Sequence, residues 1–377
     1  MRSHMNSRER VNAILHYQNY DKMPVVHFGF WGETLTKWKE EGYLTEWEAT
    51  HYWDNGGSCK EICEKLGFDF AWSAMFSSHT GLMPSFESKV IQDLGDGWII
   101  SQNGNGLIEK LKRGVSSIPA TIGTLLEDRK AWEELYLPKL QPSEKRYDLK
   151  AIEAKKQEFD SITDRPVGYH VGSLYGCIRD MLGVENLAYL QADDEDLFVE
   201  IIDTIANIAY ENAKAVFSTG VKVDFCHYWE DICFKNGPLV NPDVFEEYVL
   251  PHYRKISDLL FEHGVDIISL DCDGCIDKLV PIWLKGGVNT MFPIEVGTWE
   301  ASIEPWRKQY GNYVRGVGGM DKRVFAQDYS AVDKEIERLK RLIDLGGYIP
   351  CPDHRIAPDA KWDNVKYYCD KMQNLVI

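Results

Sequence analysis

The sequence predicts an α/β fold, a parallel (β/α)8 barrel of the TIM type, and three observations carry that prediction. Eight short apolar, β-branched or aromatic runs recur along the chain, many closing on Gly, Asp or Glu. Amphipathic stretches with helical periodicity separate most of them. Glycines stand at the ends of those stretches, just before the next strand, where a helix needs a residue free to turn left-handed.

In chain order the strand candidates are Met23–Trp31, Asp69–Met75, Pro166–Gly172, Val221–Glu230, Val265–Asp271, Val288–Val296, Tyr313–Gly319 and Gly347–Cys351. The clearest helices are Leu197–Thr219, Pro242–His263 and Ala331–Leu345, stopped by Gly220, Gly264 and Gly346. Strand and helix in alternation imply a parallel sheet. Eight units favour closure over an open doubly wound sheet, and no glycine-rich nucleotide loop follows the first strand. Ser88–Arg113 departs from the pattern. It reads as a small antiparallel meander inserted after the second strand, turned at Gly95-Asp96-Gly97 and Asn103-Gly104-Asn105-Gly106. Its helix-rich continuation to about Phe159 is placed to cover one mouth of the barrel.

The chain has 377 residues, 44% of them hydrophobic and 27% charged, enough for the core of a globular enzyme. Residues 1–5 read as a cloning remnant, and 6–377 as one barrel domain with no linker. No apolar run reaches the length of a membrane span, and no secretory leader is visible, so the expected compartment is the cytoplasm. A formal net charge of −17 argues against nucleic acid, anionic lipid and polyanionic substrates. A homo-oligomer is compatible with all of this.

In a barrel of this kind, polar residues at strand C-termini converge on one face and become the catalytic candidates. The fourth strand ends in Glu230-Asp231, the fifth in Asp271-Cys-Asp273-Gly-Cys275, the sixth in Glu295, and the eighth runs into Cys351-Pro-Asp353-His354-Arg355. Asp271 and Asp273 point the same way along an extended chain, so both can reach one ion or share one proton. The ring of acids and histidine predicts a metal site, zinc being the expected ion, at Glu230, Asp271, Asp273 and His354, with Cys272 and Cys351 as alternates. Glu230, Asp273 and His354 are the catalytic candidates. Cys272-x-x-Cys275 alone lacks the second pair of a structural zinc site. Cys59, Cys63, Cys177, Cys233 and Cys369, among nine cysteines, read as packing. Aromatic residues make up 12% of the chain. Phe28, Trp31, Tyr169, His170, Tyr175, His227 and Glu295 are the expected substrate-binding set, walls suited to a flat apolar ligand.

At these positions the chain resembles the uroporphyrinogen decarboxylase superfamily over nearly its whole length. The matching marks are the opening Ser-Arg-Glu-Arg-Val-Asn-Ala-Ile-Leu at 7–15, Trp229 to Pro242, Asp271–Gly274, Gly287 to Glu295 and Gly346 to His354. The resemblance implies a (β/α)8 barrel. The namesake carries a basic segment after its first strand to pair with propionates. Here that place reads His27-Phe-Gly-Phe-Trp-Gly-Glu33, without arginine, which argues against uroporphyrinogen as substrate. The branch it looks more like comprises methyltransferases that work with a corrinoid-binding protein, above all the first methyltransferase of aryl O-demethylase systems. Its thiol-methylating members hold zinc with a His-x-Cys pair and a later Cys. Aligned on Gly274, Asp271, Asp273 and His354 stand in those places, which puts zinc–thiolate chemistry in doubt. The resemblance therefore implies transfer of methyl from a small aromatic methyl ether to the cob(I)amide of a partner. The alternatives are a methylcorrinoid-to-thiol or folate methyltransferase and a noncatalytic barrel that binds an aromatic or tetrapyrrole ligand.

Overall fold

The computed structural model describes residues 4–73, 75–114 and 119–375. Eight strands, in nine segments, follow one another around a barrel: β1 Val26–His27, a second broken into β2 Phe70–Ala71 and β3 Phe76–Ser77, then, after an inserted sheet, β8 Gly168–Gly172, β9 Phe225–Trp229, β10 Ile268–Asp271, β11 Thr290–Phe292, β12 Arg315–Met320 and β13 Tyr348–Pro352. Seven of these segments form a continuous parallel sheet from β3 to β13. The parallel β1–β2 pair adds the remaining side, and a parallel bridge between Phe30 and Ile356 closes the ring. The chain is thus a (β/α)8 barrel.

All eight predicted strands are present, most of them shortened at the N-terminal end and the first and sixth at both ends. The break in the second one was not expected. β2 pairs with β1 on one side and β3 with β8 on the other, and Ser73 and Met75, between them, line the pocket at the barrel mouth. Helices cover the outside where the periodicity places them. Glu195–Ser218 starts on an Asp194 cap that accepts from Leu197 N, and it buries one apolar face running from Leu197 to Phe217. The predicted helix Pro242–His263 is continuous but irregular: a π turn at Phe245–Val249 precedes Leu250–Glu262. Pro251 lacks the N–H that would close the preceding turn, and a wider turn absorbs the loss.

The insertion is larger than Ser88–Arg113. Four antiparallel strands, β4 Lys89–Gly95, β5 Trp98–Gln102, β6 Leu107–Lys112 and β7 Ala120–Thr124, form one sheet in sequence order. It rests on the helix Gly176–Leu182 that follows β8, where Thr124 Oγ1 donates to the Met181 carbonyl. Among the described residues, none of this sheet lines the central pocket described next. Among the described residues, no helix is long and apolar enough to cross a membrane.

Candidate active site

A pocket of about 340 Å³ opens at the C-terminal ends of the strands, lined by Phe28, Trp31, Met75, Trp229, His170 and His227 as walls, and by acids and bases at its floor and rim. The floor comes from two neighbouring strands in register, with Trp229 paired to Asp271. Side chains alternate along an extended chain, so Asp271 and Asp273 point inward together, and on β9 the same alternation turns His227, Trp229 and Asp231 inward. Asp231 holds a left-handed backbone, φ 49°, a conformation Asp tolerates better than most residues. Carboxylate oxygens of Asp231, Asp271 and Asp273 lie within 4.8 Å of one another.

Crowding and burial raise the proton affinity of Asp231 and Asp271. Burial and the adjacent Asp273 push Asp231 up to about 6. Burial, together with Asp231 and Asp273, holds Asp271 well above the usual carboxylate range. The hydrogen bonds that would offset this are few. Asp231 Oδ1 accepts from the Asp273 amide at 3.1 Å, and His354 Nε2 stands 3.3 Å from Asp273 Oδ2. Asp273 Oδ1 and His354 Nδ1 are buried and have no hydrogen-bond partner. Buried polar atoms left unpaired cost roughly 1–3 kcal/mol each, so both point to a missing proton, cation or substrate atom. Three carboxylates and an imidazole are a donor set for zinc or another divalent ion. Asp231, Asp271 and Asp273 are the residues close enough to hold it together, with His354 beside Asp273 as the adjoining nitrogen.

The rest of the site orients this cluster. The His354 ring stacks on Trp31, centroids 5.5 Å apart, and lies 5.4 Å from Phe28. Glu295 is not on the pocket lining. Its Oε2 accepts from Gly274 N at 2.6 Å, fastening the turn that carries Asp273. Gly274 has φ 85°, and a Cβ there would stand 2.5 Å from the Cys233 carbonyl, so no other residue fits that turn without displacing backbone. At the rim Arg355 meets Asp54 through Nη2–Oδ2 at 2.8 Å, and Tyr52 and Ser73 also donate to that carboxylate. Burial opposes ionisation of Asp54, and Arg355 reverses that and holds its carboxyl below its ordinary value. Burial lowers His170 to about 4 and His227 well below the ordinary histidine range, so both are neutral walls near pH 7. His227 Nδ1 is satisfied by Ser269 Oγ at 3.0 Å.

Glu230, the leading ligand expected from sequence, faces the other way. Its carboxylate is fully buried behind the pocket wall and takes five donors: Ser173 Oγ, the amides of Leu174, Tyr175 and Gly176, and the Tyr253 hydroxyl. It staples the loop after β8 to β9 rather than lining the pocket. The alternates Cys272 and Cys351 are buried off the lining, and burial pushes both thiols up. Tyr169 is fully buried and bonds Ser78 at 2.8 Å. Tyr175 borders a separate small void with Arg179 and Leu187. Asp231, Asp54 and Arg355 enter the site although the sequence reading did not select them. Alternation from His227 was the available signal for Asp231, whereas Asp54 lies some 300 positions from its partner and carried none.

Comparison with known proteins agrees with the fold. The profile of the uroporphyrinogen decarboxylase family (URO-D) matches residues 112–375. No curated protein matches by sequence. Among solved structures, a methyltransferase from Methanosarcina mazei superposes with a TM-score of 0.59 at 15% identity, covering 98% of each chain. A B12-independent methionine synthase from a Shewanella species gives 0.49 at 11% identity, covering 93% of this chain and 97% of its own.

Proposed function

Since the chain belongs to the uroporphyrinogen decarboxylase family, we propose that it is the methyl-abstracting enzyme of a corrinoid-dependent O-demethylase, moving methyl from a methoxylated aromatic compound to the cob(I)amide of a partner corrinoid protein. The observation that carries the reading is the donor set at the pocket floor: oxygens and one imidazole, with the nearby thiols turned away. Thiolate ligands suit an ion that carries a thiolate nucleophile, whereas oxygen and nitrogen ligands leave a stronger Lewis acid. A divalent ion in this cluster would supply Lewis acidity toward an ether oxygen.

The chain's own residues do the rest. Phe28, Trp31, Trp229 and Met75 clasp a flat ring, and a volume of about 340 Å³ suits one substituted ring better than a tetrapyrrole. Arg355, the arginine of the lining, is already committed to Asp54, which leaves no free counter-charge for a polycarboxylate. Transfer is an in-line displacement. The cobalt electron pair forms the Co–C bond while the methyl C–O bond breaks, and that bonding pair departs on the phenolate oxygen. In a metal-free version of the site Asp231, raised to about 6, delivers the proton that releases the phenol. Glu230 acts at one remove, as a positioning residue.

The test is anaerobic. The enzyme is mixed with a reduced corrinoid protein and a panel of methoxylated phenols, and the cob(I) absorbance is followed. Decay of that absorbance with appearance of methylcobamide and free phenol is expected. An unchanged spectrum across the panel, with a partner competent toward another methyltransferase, would overturn the assignment.

A further inference from the structure

Behind the pocket wall, on the side of β1 away from the acids, lies a second cluster of metal-binding side chains. His27 ends β1, and Cys59 and Cys63 sit one turn apart on the helix Cys59–Leu66. All three are buried, His27 completely. Cys63 Sγ is 3.3 Å from His27 Nε2, Cys59 Sγ is 3.9 Å from it, and the sulfurs are 3.8 Å apart. The sulfurs turn to each other and to the imidazole, whereas Cys177 in a comparable helix bonds a carbonyl of its own turn.

We propose that His27, Cys59 and Cys63 form a second metal site, for a thiophilic divalent ion of the zinc type. Tetrahedral zinc with Zn–S of about 2.3 Å and Zn–N of about 2.0–2.1 Å requires S···S separations of roughly 3.8 Å and S···N separations of roughly 3.5–3.6 Å. The measured triangle is that face to within a few tenths of an ångström. The rings of Phe30 and Phe68, each 5.0 Å from the imidazole, hold it in place and keep water out. The neighbouring groups support the same chemistry. The Gly29 amide donates to His27 Nδ1 at 2.9 Å, which fixes the ring with Nε2 toward the two sulfurs. The site would pin the helix Cys59–Leu66 to β1, the strand that leads into Phe28 and Trp31.

Cobalt(II) distinguishes this site from the acidic one, because only thiolate ligands give an intense sulfur-to-cobalt charge-transfer absorption in the near-ultraviolet. The full chain, stripped by a chelator, is titrated with Co2+ under anaerobic conditions. One equivalent developing that absorption is expected, displaced by Zn2+, retained in Asp273→Asn and abolished in the Cys59→Ser, Cys63→Ser double variant. Cobalt bound without the absorption, or an absorption undiminished in the double variant, overturns the proposal. If the double variant does not fold, alkylation of each cysteine in the unmutated chain decides. Cys59 and Cys63 should be shielded by Zn2+, and labelling unaffected by Zn2+ overturns the site. Neither result depends on whether the protein demethylates anything.

Discussion

Glu230 and Asp231 are consecutive acids at the end of one strand, and they lead opposite lives. Glu230 is sealed from water with five donors arranged around its two oxygens. Asp231 looks into the pocket at two other carboxylates and shares a single amide with them. The charge of Glu230 is fully compensated, so its contribution is to hold the loop after β8 in place. The charge of the Asp231 cluster is under-compensated, so it awaits a ligand. A buried acid with every lone pair occupied reads as architecture, and one left short of partners reads as function.

The largest way to break this contrast is Glu230→Ala. It would leave three amides and two hydroxyls without an acceptor, and a loss of roughly 3–5 kcal/mol in urea unfolding is expected. An unshifted midpoint would return Glu230 to the list of candidate ligands. Asp273→Asn should do the reverse. Methyl-transfer turnover is expected to fall by about 10²–10³-fold, the scale on which a single electrostatic contact to the reacting oxygen acts. Its unfolding midpoint should hold or rise, because one of three crowded carboxyl groups is replaced by a neutral amide. A matched fall in stability would mean that the cluster is structural after all.

Smaller changes sharpen the comparison. Asp231→Asn keeps a residue that accepts the left-handed backbone, so stability should stay within about 0.5 kcal/mol while affinity for a divalent ion drops at least tenfold, read by calorimetry. The smallest effect concerns pH. The folded state holds His170 at about 4 against an unfolded value near 6.5. Between those values the unfolded chain binds the proton and the folded one does not, so His170 removes stability as pH falls from about 6.5 to 4. His170→Gln should flatten the slope of unfolding free energy against pH in that window, and an identical slope would contradict the burial of the ring.

Much of the site was open to inspection in the chain itself. Asp271, Asp273 and His354 meet at the mouth because strand ends converge in a barrel, and the convergence follows once eight strand–helix units are counted. Choosing Glu230 over Asp231 was a matter of period: the inward face of β9 is His227, Trp229 and Asp231, and a one-residue slip reverses every side chain. The break between β2 and β3 was hidden, since Asp69–Met75 is uniformly apolar and aromatic apart from Asp69 and Ser73. The spacing of Cys59 and Cys63 marks one helical face, but nothing near them in sequence announces His27.

Local chemistry in the sequence, namely periodicity, helix stops and the residues closing each strand, determined the barrel, the inserted sheet and the end of the molecule where chemistry belongs. The tertiary structure alone decided which acids are satisfied. Whether a carboxylate meets five donors or two other carboxylates depends on loops and strands brought from tens to hundreds of residues away, as Asp54 and Arg355 also show. Burial then turns that difference into free energy, because an unpaired charge costs far more inside the barrel than in water.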